Sequence, residues 1–520
     1  MRVVPGWLGA ILLCGFSVVQ VAAQCPDRPV PGTVVNDPLN LTSQNGALNA
    51  QLVLAHSVDG SGYTHYCYNY SANNQVFEAP TLRVNPGDRL ALNIVNAIKD
   101  DDEMKMAMPD AGKGCGDGGA MTLNSTNVHF HGMNVPPKCH QDDVIHTLIQ
   151  PGSPGFQYNV QIPLTQPPGL YWYHPHVHGF TEFQVNGGAA GALIVEGMEK
   201  IRPEVAGLTE RVFIIRQQFL VPWIPGPYQL SLNYQVAQAI GGSKPIIQMK
   251  PGEKQFWRVA NATLQDFMPI QYQVNGKPQQ VELIAMDGYP LAQTRLTDTI
   301  LLPPASRAEF IVQAPPQGSN AILFTEDYST GPTGNPDFKQ SLGTVQLVTN
   351  QGNQEASHMP GASAATSERV RGSDLASQQV TAKRLLYFSE EFGGTNGPIQ
   401  FYITVDGQKQ KVFEPNESPA IKTKVGAVED WTIENRALET HAFHIHQIHF
   451  QMLEVDGKPV ANKDMRDTIE IPFWEGKGPY HSVKVRMDFR DPNIAGTFPF
   501  HCHILLHEDL GMMHKLLVEP

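Results

Sequence analysis

Three stretches of the chain share one pattern of hydrophobic and polar positions. In each stretch, an alternating run that predicts a β-strand is followed by a glycine turn and a second alternating run. An asparagine follows nine residues after each glycine, and successive glycines are about 170 residues apart, so the pattern predicts three related β domains. The glycine and asparagine of each repeat are Gly87 with Asn96, Gly252 with Asn261, and Gly426 with Asn435.

A polar segment separates the second repeat from the third. Residues 351–380 contain few large apolar side chains, which predicts a linker or a wrapping loop. An antiparallel sheet with one buried face needs a second sheet to cover it, so each repeat predicts a two-sheet sandwich. The predicted organisation is a signal peptide at 1–23, domains at 24–198, 199–350 and 381–520, and the linker at 351–380.

Composition and charge narrow the class of protein. The chain has 520 residues, with 41 prolines, 46 glycines and a net charge of −13, and no block of lysine or arginine stands out. A nucleic-acid partner is therefore not expected. The first residues combine one arginine, an apolar run and a V-x-A end, which is the pattern of a cleaved secretory signal. Since no later segment approaches 18 uncharged apolar residues, we expect no membrane span and a secreted protein, periplasmic in a bacterium.

The cysteine count fits an oxidising compartment. Removing the signal also removes Cys14, and four of the five remaining cysteines can form two disulfides. Three connectivities are possible, and the working pairing is Cys25 with Cys67 and Cys115 with Cys139, which leaves Cys502 free. Sequons that would carry glycans in a eukaryotic host begin at Asn40, Asn69, Asn124, Asn261 and Asn416.

Eight of the 19 histidines form four H-x-H pairs. On a strand, both imidazoles of such a pair point to one face about 6 to 7 Å apart, which suits two ligands of one metal cluster. A single pair is also typical of a partly exposed strand, but four pairs beside apolar residues are not. Two pairs lie in the first predicted domain and two in the third, so we expect a cluster between these domains. The pairs are His129 with His131, His174 with His176, His444 with His446, and His501 with His503.

The stretch FPFHCHILLHEDLGMMHK, from residue 498, predicts a second site. On a strand, Cys502 points away from the histidines on either side of it. Two histidines, a cysteine thiolate and a weak thioether are the ligands of a blue-copper electron-transfer centre. The chain offers this set in His441, Cys502, His507 and Met512. By itself Cys502 could be a buried structural thiol. Next to the paired histidines, it is better explained as the point where an electron enters the cluster.

With these motifs, the chain resembles the three-domain multicopper oxidases of the laccase-like group over essentially its whole mature length. The resemblance implies an all-β fold of three cupredoxin-like, Greek-key β-sandwich domains in tandem, with four copper ions. It implies a type 1 copper at His441, Cys502 and His507 with Met512 axial, and a type 2 copper at His129 and His444. The type 3 pair would then be held by His131, His174, His176, His446, His501 and His503.

Other residues are carried over from this resemblance with less support. Glu508 resembles the carboxylate that supplies protons to the cluster, and Asp142 or Asp143 falls where the family keeps an acid after the first H-x-H-G. Solvated loop acids are the alternative. The sequence departs from the family pattern at Ala442, where proline is usual, and at Gln447, where glycine is common. His178 and His449 match no ligand position, so we expect them to pack beside the ligands.

These features predict an oxidase of phenols or related aromatic donors that reduces O2 to water and acts as a monomer. A thioether axial ligand should lower the type 1 potential, which favours easily oxidised phenols. The alternative is an oxidase of Cu(I) or Fe(II), suggested by the methionines of residues 104–108, although an ordinary exposed loop explains that segment as well. A non-catalytic copper carrier would need only the type 1 ligands, and a two-domain nitrite reductase would lack the four histidine pairs.

Overall fold

The computed structural model describes residues 24–60, 62–99, 107–108, 114–218, 229–237, 242–349, 357–360, 374–393 and 399–520. Strands dominate this part of the chain, as the sequence predicts. Its helices are Thr181–Asn186, Met198–Ile201 and Leu505–Asp509, with 3₁₀ turns at Pro203–Val205, Leu375–Ser377 and Pro492–Ile494. None of the helices among these residues is long and apolar enough to span a bilayer. The predicted signal peptide lies outside the described residues.

The first repeat lies in two five-stranded sheets that enclose one core. In spatial order, one sheet contains Asn40–Thr42, Thr81–Val84, Gly191–Val195, Gly169–His174 and His129–His131. The other contains Phe156–Gln161, Arg89–Asn96, Ala47–Val58, Thr64–Ala72 and Gln75–Glu78. Two short pairs lie outside these sheets, Cys115–Gly116 with Thr147–Leu148 and Ala107–Met108 with Met121–Thr122.

The second repeat also lies in a pair of sheets around its own core. The larger sheet contains, in order, Gln235–Ala237, Gln229–Leu232, Thr209–Gln218, Lys254–Ala262, Arg307–Gln313, Val281–Met286 and Tyr289–Thr297, with Ser357–His358 on Thr209–Gln218. The smaller sheet contains Ile246–Met249, Gln340–Leu347, Ala321–Thr325, Met268–Val274 and Lys277–Pro278, with Ile300–Leu302 on Met268–Val274.

The third repeat has the same two-sheet arrangement. One sheet contains Ile399–Val405, Ala382–Phe392, Ala427–Asn435, His481–Phe489, Phe450–Val455 and Lys458–Pro459, with Met465–Arg466 on Phe450–Val455. The other contains Ile421–Lys424, Met513–Glu519, Gly496–Cys502, His441–Ile445 and Thr468–Ile471. The exact domain boundaries given above stay a prediction.

The repeated asparagine ties its strand to a distant segment of each sandwich: Asn261 and Asn435 reach the opposite sheet, and Asn96 reaches backbone outside both sheets. The strands before and after each repeat glycine belong to different sheets, so the glycine turn is a corner rather than a hairpin. All three glycines have positive φ, which favours glycine. Asn96, Asn261 and Asn435 are fully buried, and each side-chain amide donates to two backbone carbonyls and accepts a backbone N–H two residues on. The repeat therefore encodes a buried amide that holds three backbone groups in each sandwich.

Substituting Asn261 with alanine should destabilise the protein by about 3 kcal/mol, because three buried backbone groups lose their partner. Denaturant unfolding of the second-domain core would measure this. Asn49→Ala, at an exposed strand asparagine, is the matched control and should change stability by less than about 0.5 kcal/mol. Equal stability of the two variants would contradict the proposed role of the buried amide.

Two neighbouring acids, the buried Asp266 and the partly buried Asp337, lie where the second repeat meets the third. Burial raises the pKa of Asp337, and the neighbouring Asp266 raises it further. A carboxyl group whose folded pKa lies above its unfolded value binds more protons in the folded state, so stability falls as pH rises above about 4. Asp337→Asn should remove part of this loss of stability at high pH. It should therefore raise the melting temperature at pH 8 but not at pH 4. A pH-independent change would contradict the assignment.

Other sequence expectations can be checked on the described residues. The structure forms both disulfides of the working pairing, with Cα–Cα separations of 5.6 and 5.5 Å. Cys502 is free and buried. Among the sequon asparagines, Asn69, Asn124 and Asn261 are buried, which disfavours glycosylation of the folded chain at these positions. In the predicted linker, Leu375 is buried in a small apolar cluster, so part of this segment packs as a wrapping loop.

Candidate metal centres

All eight paired histidines are buried and lie at strand ends. His129 is the register partner of His174 on the neighbouring strand of the first-domain sheet, and His444 is the partner of His501 in the third-domain sheet. His446 and His503 follow directly after their strands, and His176 lies two residues after its strand. Adjacent strands thus bring two pairs together within each domain.

The histidine pairs of the first domain then meet those of the third domain across one interface, called the seam below. The ring of His129 stacks on that of His446 with a centroid distance of 3.8 Å, and His131 stacks on His444 at 3.9 Å. His501 Nε2 lies 3.1 Å from His446 Nε2. It also lies 3.3 Å from Nε2 of a first-domain histidine, His176. The expected convergence of first- and third-domain imidazoles is therefore present. His503 completes the group, with its ring centroid 5.2 Å from that of His131.

The imidazole nitrogens fit a metal cluster. In His129, His174 and His444, Nδ1 has a hydrogen-bond partner while the buried Nε2 has none among the described residues. A buried imidazole nitrogen without a partner costs free energy unless it binds something. A hydrogen bond at Nδ1 fixes the tautomer that leaves the Nε2 lone pair for a metal, the usual arrangement of ligating histidines. Several triplets of these histidines have ligand atoms within 4.8 Å of one another.

The electrostatics of the cluster keep the imidazoles neutral. Burial lowers the pKa of each paired histidine below its ordinary value, and in most of them the charge of neighbouring imidazoles contributes further. Neutral imidazole is the form that binds a metal ion. The site is thus prepared for a cation.

The second predicted site is formed by three buried side chains. Cys502 Sγ lies 3.6 Å from His441 Nδ1 and 3.9 Å from His507 Nδ1. The two Nδ1 atoms are 3.3 Å apart. Burial raises the pKa of the Cys502 thiol, so a thiolate here needs a cation beside it. The donor set of two imidazoles and one thiol suits copper.

The fourth residue of this site, Met512, is fully buried in the same core as Cys502. Its backbone carbonyl accepts a hydrogen bond from the Cys502 N–H at 3.1 Å, and its own N–H donates to the carbonyl of His507 at 2.8 Å. The chain therefore loops back so that the methionine is held beside the other three residues.

Two carboxyl groups lie behind the imidazoles of this site. Glu390 Oε1 is 3.3 Å from His441 Nε2, and Glu439 Oε2 is 3.6 Å from His507 Nε2. Burial and the neighbouring Glu390 raise the pKa of Glu439 to about 9. The pair therefore holds a proton at neutral pH. The sequence analysis missed both acids, and only the adjacency of Glu439 to the histidine motif could have suggested one of them.

The acid after the first H-x-H pair is Asp142 rather than Asp143. Both carboxylate oxygens of Asp142 lie 3.1 Å from His129 Nδ1, and the Phe130 N–H donates to Oδ1 at 2.9 Å. Asp143 instead contacts His146. The structure therefore settles which of the two neighbouring aspartates faces the cluster.

The other predicted acid, Glu508, is fully buried on the opposite side of the cluster. Its Oε1 is 3.9 Å from His176 Nδ1. Burial raises its pKa, and the charge of Asp509 raises it further. An acid with a raised pKa beside the cluster is suited to hold a proton there.

A further acid, Asp467, was missed by the sequence analysis. It is fully buried, and its Oδ1 lies 3.5 Å from His131 Nε2. Arg307 of the second repeat binds both of its oxygens, at 2.8 and 2.7 Å. A Cβ at Gly132 would approach this ion pair to 2.4 Å, so only glycine fits there. All three repeats thus meet beside the cluster, although the middle one contributes no paired histidine.

His178 and His449, which match no ligand position in the family pattern, are both buried. His178 is buried with its ring edge against Phe413, at a centroid distance of 4.9 Å. His449 Nε2 lies 2.8 Å from the carbonyl oxygen of Asp287 and 3.7 Å from Asp467 Oδ2. Both positions match the packing role expected for them.

Comparison with known proteins agrees with this geometry. Family models described as multicopper oxidase match residues 120–200, 222–352 and 393–520. Together they include part of each of the three sandwiches and the residues of both metal centres. The chain belongs to the multicopper oxidase family, whose members are copper-dependent oxidoreductases and include laccases.

Individual relatives are distant. The chain is 23% identical over 512 residues to the multicopper oxidase mco of Staphylococcus aureus, covering 92% of this chain and 94% of that protein. It is 22% identical over 429 residues to a laccase of Bacillus subtilis strain 168, covering 75% and 79%. Among solved structures, a multicopper oxidase from Campylobacter jejuni, titled a metallo-oxidase, superposes with a TM-score of 0.67 at 23% identity, covering 95% and 96%. These similarities confirm the cupredoxin-like fold.

Proposed function

We propose that the protein is a secreted, laccase-like oxidase that couples one-electron oxidation of phenolic or related aromatic donors to the four-electron reduction of O2 to water. The observation that carries the proposal is the position of Cys502. Its side chain lies in one centre, while its two sequence neighbours, His501 and His503, lie in the other. This is the shortest covalent connection between the two centres.

Four copper ions are assigned to these residues. The type 1 ion would be held by His441, Cys502 and His507 with Met512 axial, and the type 2 ion by His129 and His444. The type 3 pair would be held by His131, His174, His176, His446, His501 and His503. Bound copper supplies one-electron redox couples, which let single electrons from successive donors be collected for dioxygen.

The protein supplies protons to the cluster from two sides. Asp142 lies against His129 on one side, and Glu508 lies near His176 on the other. Because each oxygen reduction consumes four protons, buried acids with raised pKa values at these positions are suited to deliver them. Asp142 also keeps the neighbouring His129 imidazole oriented through its hydrogen bond to Nδ1.

An apolar surface beside His507 supports an aromatic donor. The ring of His507 stacks on Phe401 at a centroid distance of 4.0 Å, and the preceding residue in the chain, Leu506, is 42% exposed. Further along the same hairpin, Phe392 and Ile399 are paired across the ladder and are 54% and 42% exposed. Exposed apolar side chains grouped in this way mark a binding surface.

The buried acid pair supports easily oxidised donors. Burial and the neighbouring Glu390 raise the pKa of Glu439 to about 9, so the two acids together place about one negative charge behind the type 1 imidazoles. A nearby negative charge stabilises the oxidised, more positive state of a metal centre and therefore lowers its potential. A low potential matches the axial thioether of Met512.

Neutralising both acids should raise the type 1 potential. For the double variant Glu390→Gln with Glu439→Gln, which leaves no carboxyl group to ionise, we expect an increase on the order of 100 mV from the loss of one charge at an effective dielectric constant of about 20. Redox titration of the blue absorption measures it. The matched control is Glu391→Gln, which removes the same charge from the exposed neighbouring residue. An equal shift in both variants would contradict a local role of the pair.

A metal-ion oxidase is the second candidate, and the same acid pair favours it, since carboxylates attract cations. The methionine segment 104–108 lies outside the described residues except for the backbone of Ala107–Met108, which pairs with Met121–Thr122. A donor panel decides between the two functions. We expect kcat/KM to be highest for a methoxyphenol. A higher value for Cu(I) or Fe(II), lowered at least about tenfold by the double variant Glu390→Gln with Glu439→Gln, would establish the metal-ion oxidase instead.

A further inference from the structure

Gln447 occupies an unusual place beside the cluster. It follows His446 directly, it is 1% exposed, and its φ is 58°. This left-handed conformation is unfavourable for a side chain longer than that of asparagine, and glycine adopts it freely. A glutamine kept in such a conformation needs contacts that hold it there.

Both ends of Gln447 contact the first repeat. Its backbone carbonyl accepts a hydrogen bond from Asn134 Nδ2 at 2.7 Å. Its side-chain Nε2 donates a short hydrogen bond to Asp142 Oδ2. Asn134 is itself fixed, because its N–H donates to Gln166 Oε1 at 2.8 Å. Gln447 therefore bridges the seam at which the two halves of the cluster meet.

The contact with Asp142 explains why an amide is needed. The Phe130 N–H donates a hydrogen bond to Asp142 Oδ1, and both oxygens of Asp142 lie within hydrogen-bond distance of His129 Nδ1. The Gln447 amide gives Oδ2 a donor from the opposite domain. With donors on three sides, the carboxylate plane is fixed, and so is the imidazole of His129. Without Gln447, this buried carboxylate could rotate or move away from His129.

We propose that Gln447 is a positioning residue of the type 2 copper site: it holds Asp142, and through it His129, in the orientation that leaves His129 Nε2 directed into the cluster. The inference rests on the proposed assignment of His129 to the type 2 copper. It assigns to this chain a cross-domain link at a position where the family pattern commonly has glycine.

Two substitutions distinguish the positioning of Asp142 and His129 by Gln447 from a general contribution of Gln447 to stability. Gln447→Gly relieves the left-handed backbone but removes the donor to Asp142. Gln447→Met keeps the length of the side chain and removes only the donor. The matched control is Asn74→Gly, which places glycine at another left-handed position, in an exposed turn with φ of 60°.

The measurements are the melting temperature of the copper-free protein, the affinity for the type 2 copper, and the type 2 signal in electron paramagnetic resonance. For both Gln447 variants we expect type 2 affinity to fall by about 10- to 100-fold, with altered hyperfine splitting. The copper-free Gln447→Gly protein should melt within a few degrees of the wild type, because relief of the left-handed backbone offsets part of the lost hydrogen bond. Asn74→Gly should match the wild type in all three measurements.

Wild-type copper affinity and an unchanged type 2 signal in both Gln447 variants would overturn the proposal. If the Met variant fails to fold, the Gly variant decides, because its backbone conformation is unstrained. Failure of the proposed function has a different signature: the wild-type protein itself would then lack a type 2 signal. The two outcomes are thus distinguishable in one experiment.

Discussion

Replacement of Cys502 by serine should abolish the blue absorption and lower turnover more than about 100-fold, since even residues that only contact metal ligands cost 10- to 100-fold when changed. In the proposed assignment, the thiolate is the soft ligand of the type 1 site, and the backbone links it to His501 and His503. The measurements are the visible spectrum and oxygen consumption with a methoxyphenol.

The fold should survive this substitution. The Cys502 side chain is small, and the surrounding sandwich core consists of many apolar residues. The copper-free variant should therefore melt close to the copper-free wild type. Met512→Leu is the informative control, because it removes only the axial thioether: the blue absorption should persist and the potential should rise. Undiminished turnover of Cys502→Ser would refute the electron-entry role.

Glu508→Gln should lower kcat by about 100-fold, which is the scale of a lost proton donor. Glu508 is buried near His176, and burial together with the charge of Asp509 raises its pKa, so it can hold a proton beside the cluster. An amide fills the same space but cannot deliver a proton. Oxygen consumption at saturating donor measures the effect, because the loss should appear in kcat rather than in KM for the donor.

Asp143→Asn is the matched control for this experiment. Asp143 contacts the half-exposed His146 and no paired histidine is among its hydrogen-bond partners. Its substitution should change kcat by less than about twofold. If Glu508→Gln retained wild-type turnover, or if both variants lost activity equally, the assignment of Glu508 as the proton donor would be wrong.

The fold and the metal-binding motifs could be predicted from the sequence because both depend on local periodicity. Alternation marks strands, and the period of two places both imidazoles of an H-x-H pair on one face. The spacing from glycine to asparagine marked the repeat, but its physical reason needed the structure. Asn96, Asn261 and Asn435 are buried and each holds three backbone groups, and a buried amide cannot be told from an exposed one by spacing.

The residues that were missed act through contacts between distant parts of the chain. Asp467 reaches the cluster only because Arg307 of the middle repeat holds it there, 160 positions away in sequence. Glu390 belongs to a strand with no histidine motif and faces His441 across the sandwich. Asp142 and Asp143 are equivalent in sequence, and only the fold of their loop directs one of them at His129. No periodicity encodes such pairings.

The central claim is that imidazoles from both ends of the chain enclose three copper ions while Cys502 binds a fourth. Anomalous diffraction from crystals of the copper-loaded protein, collected at the copper edge, tests it most directly. We expect three peaks about 4 Å apart between the histidines of the first and third repeats, and a fourth beside Cys502. A single peak beside Cys502, or peaks held by histidines from only one repeat, would contradict the claim.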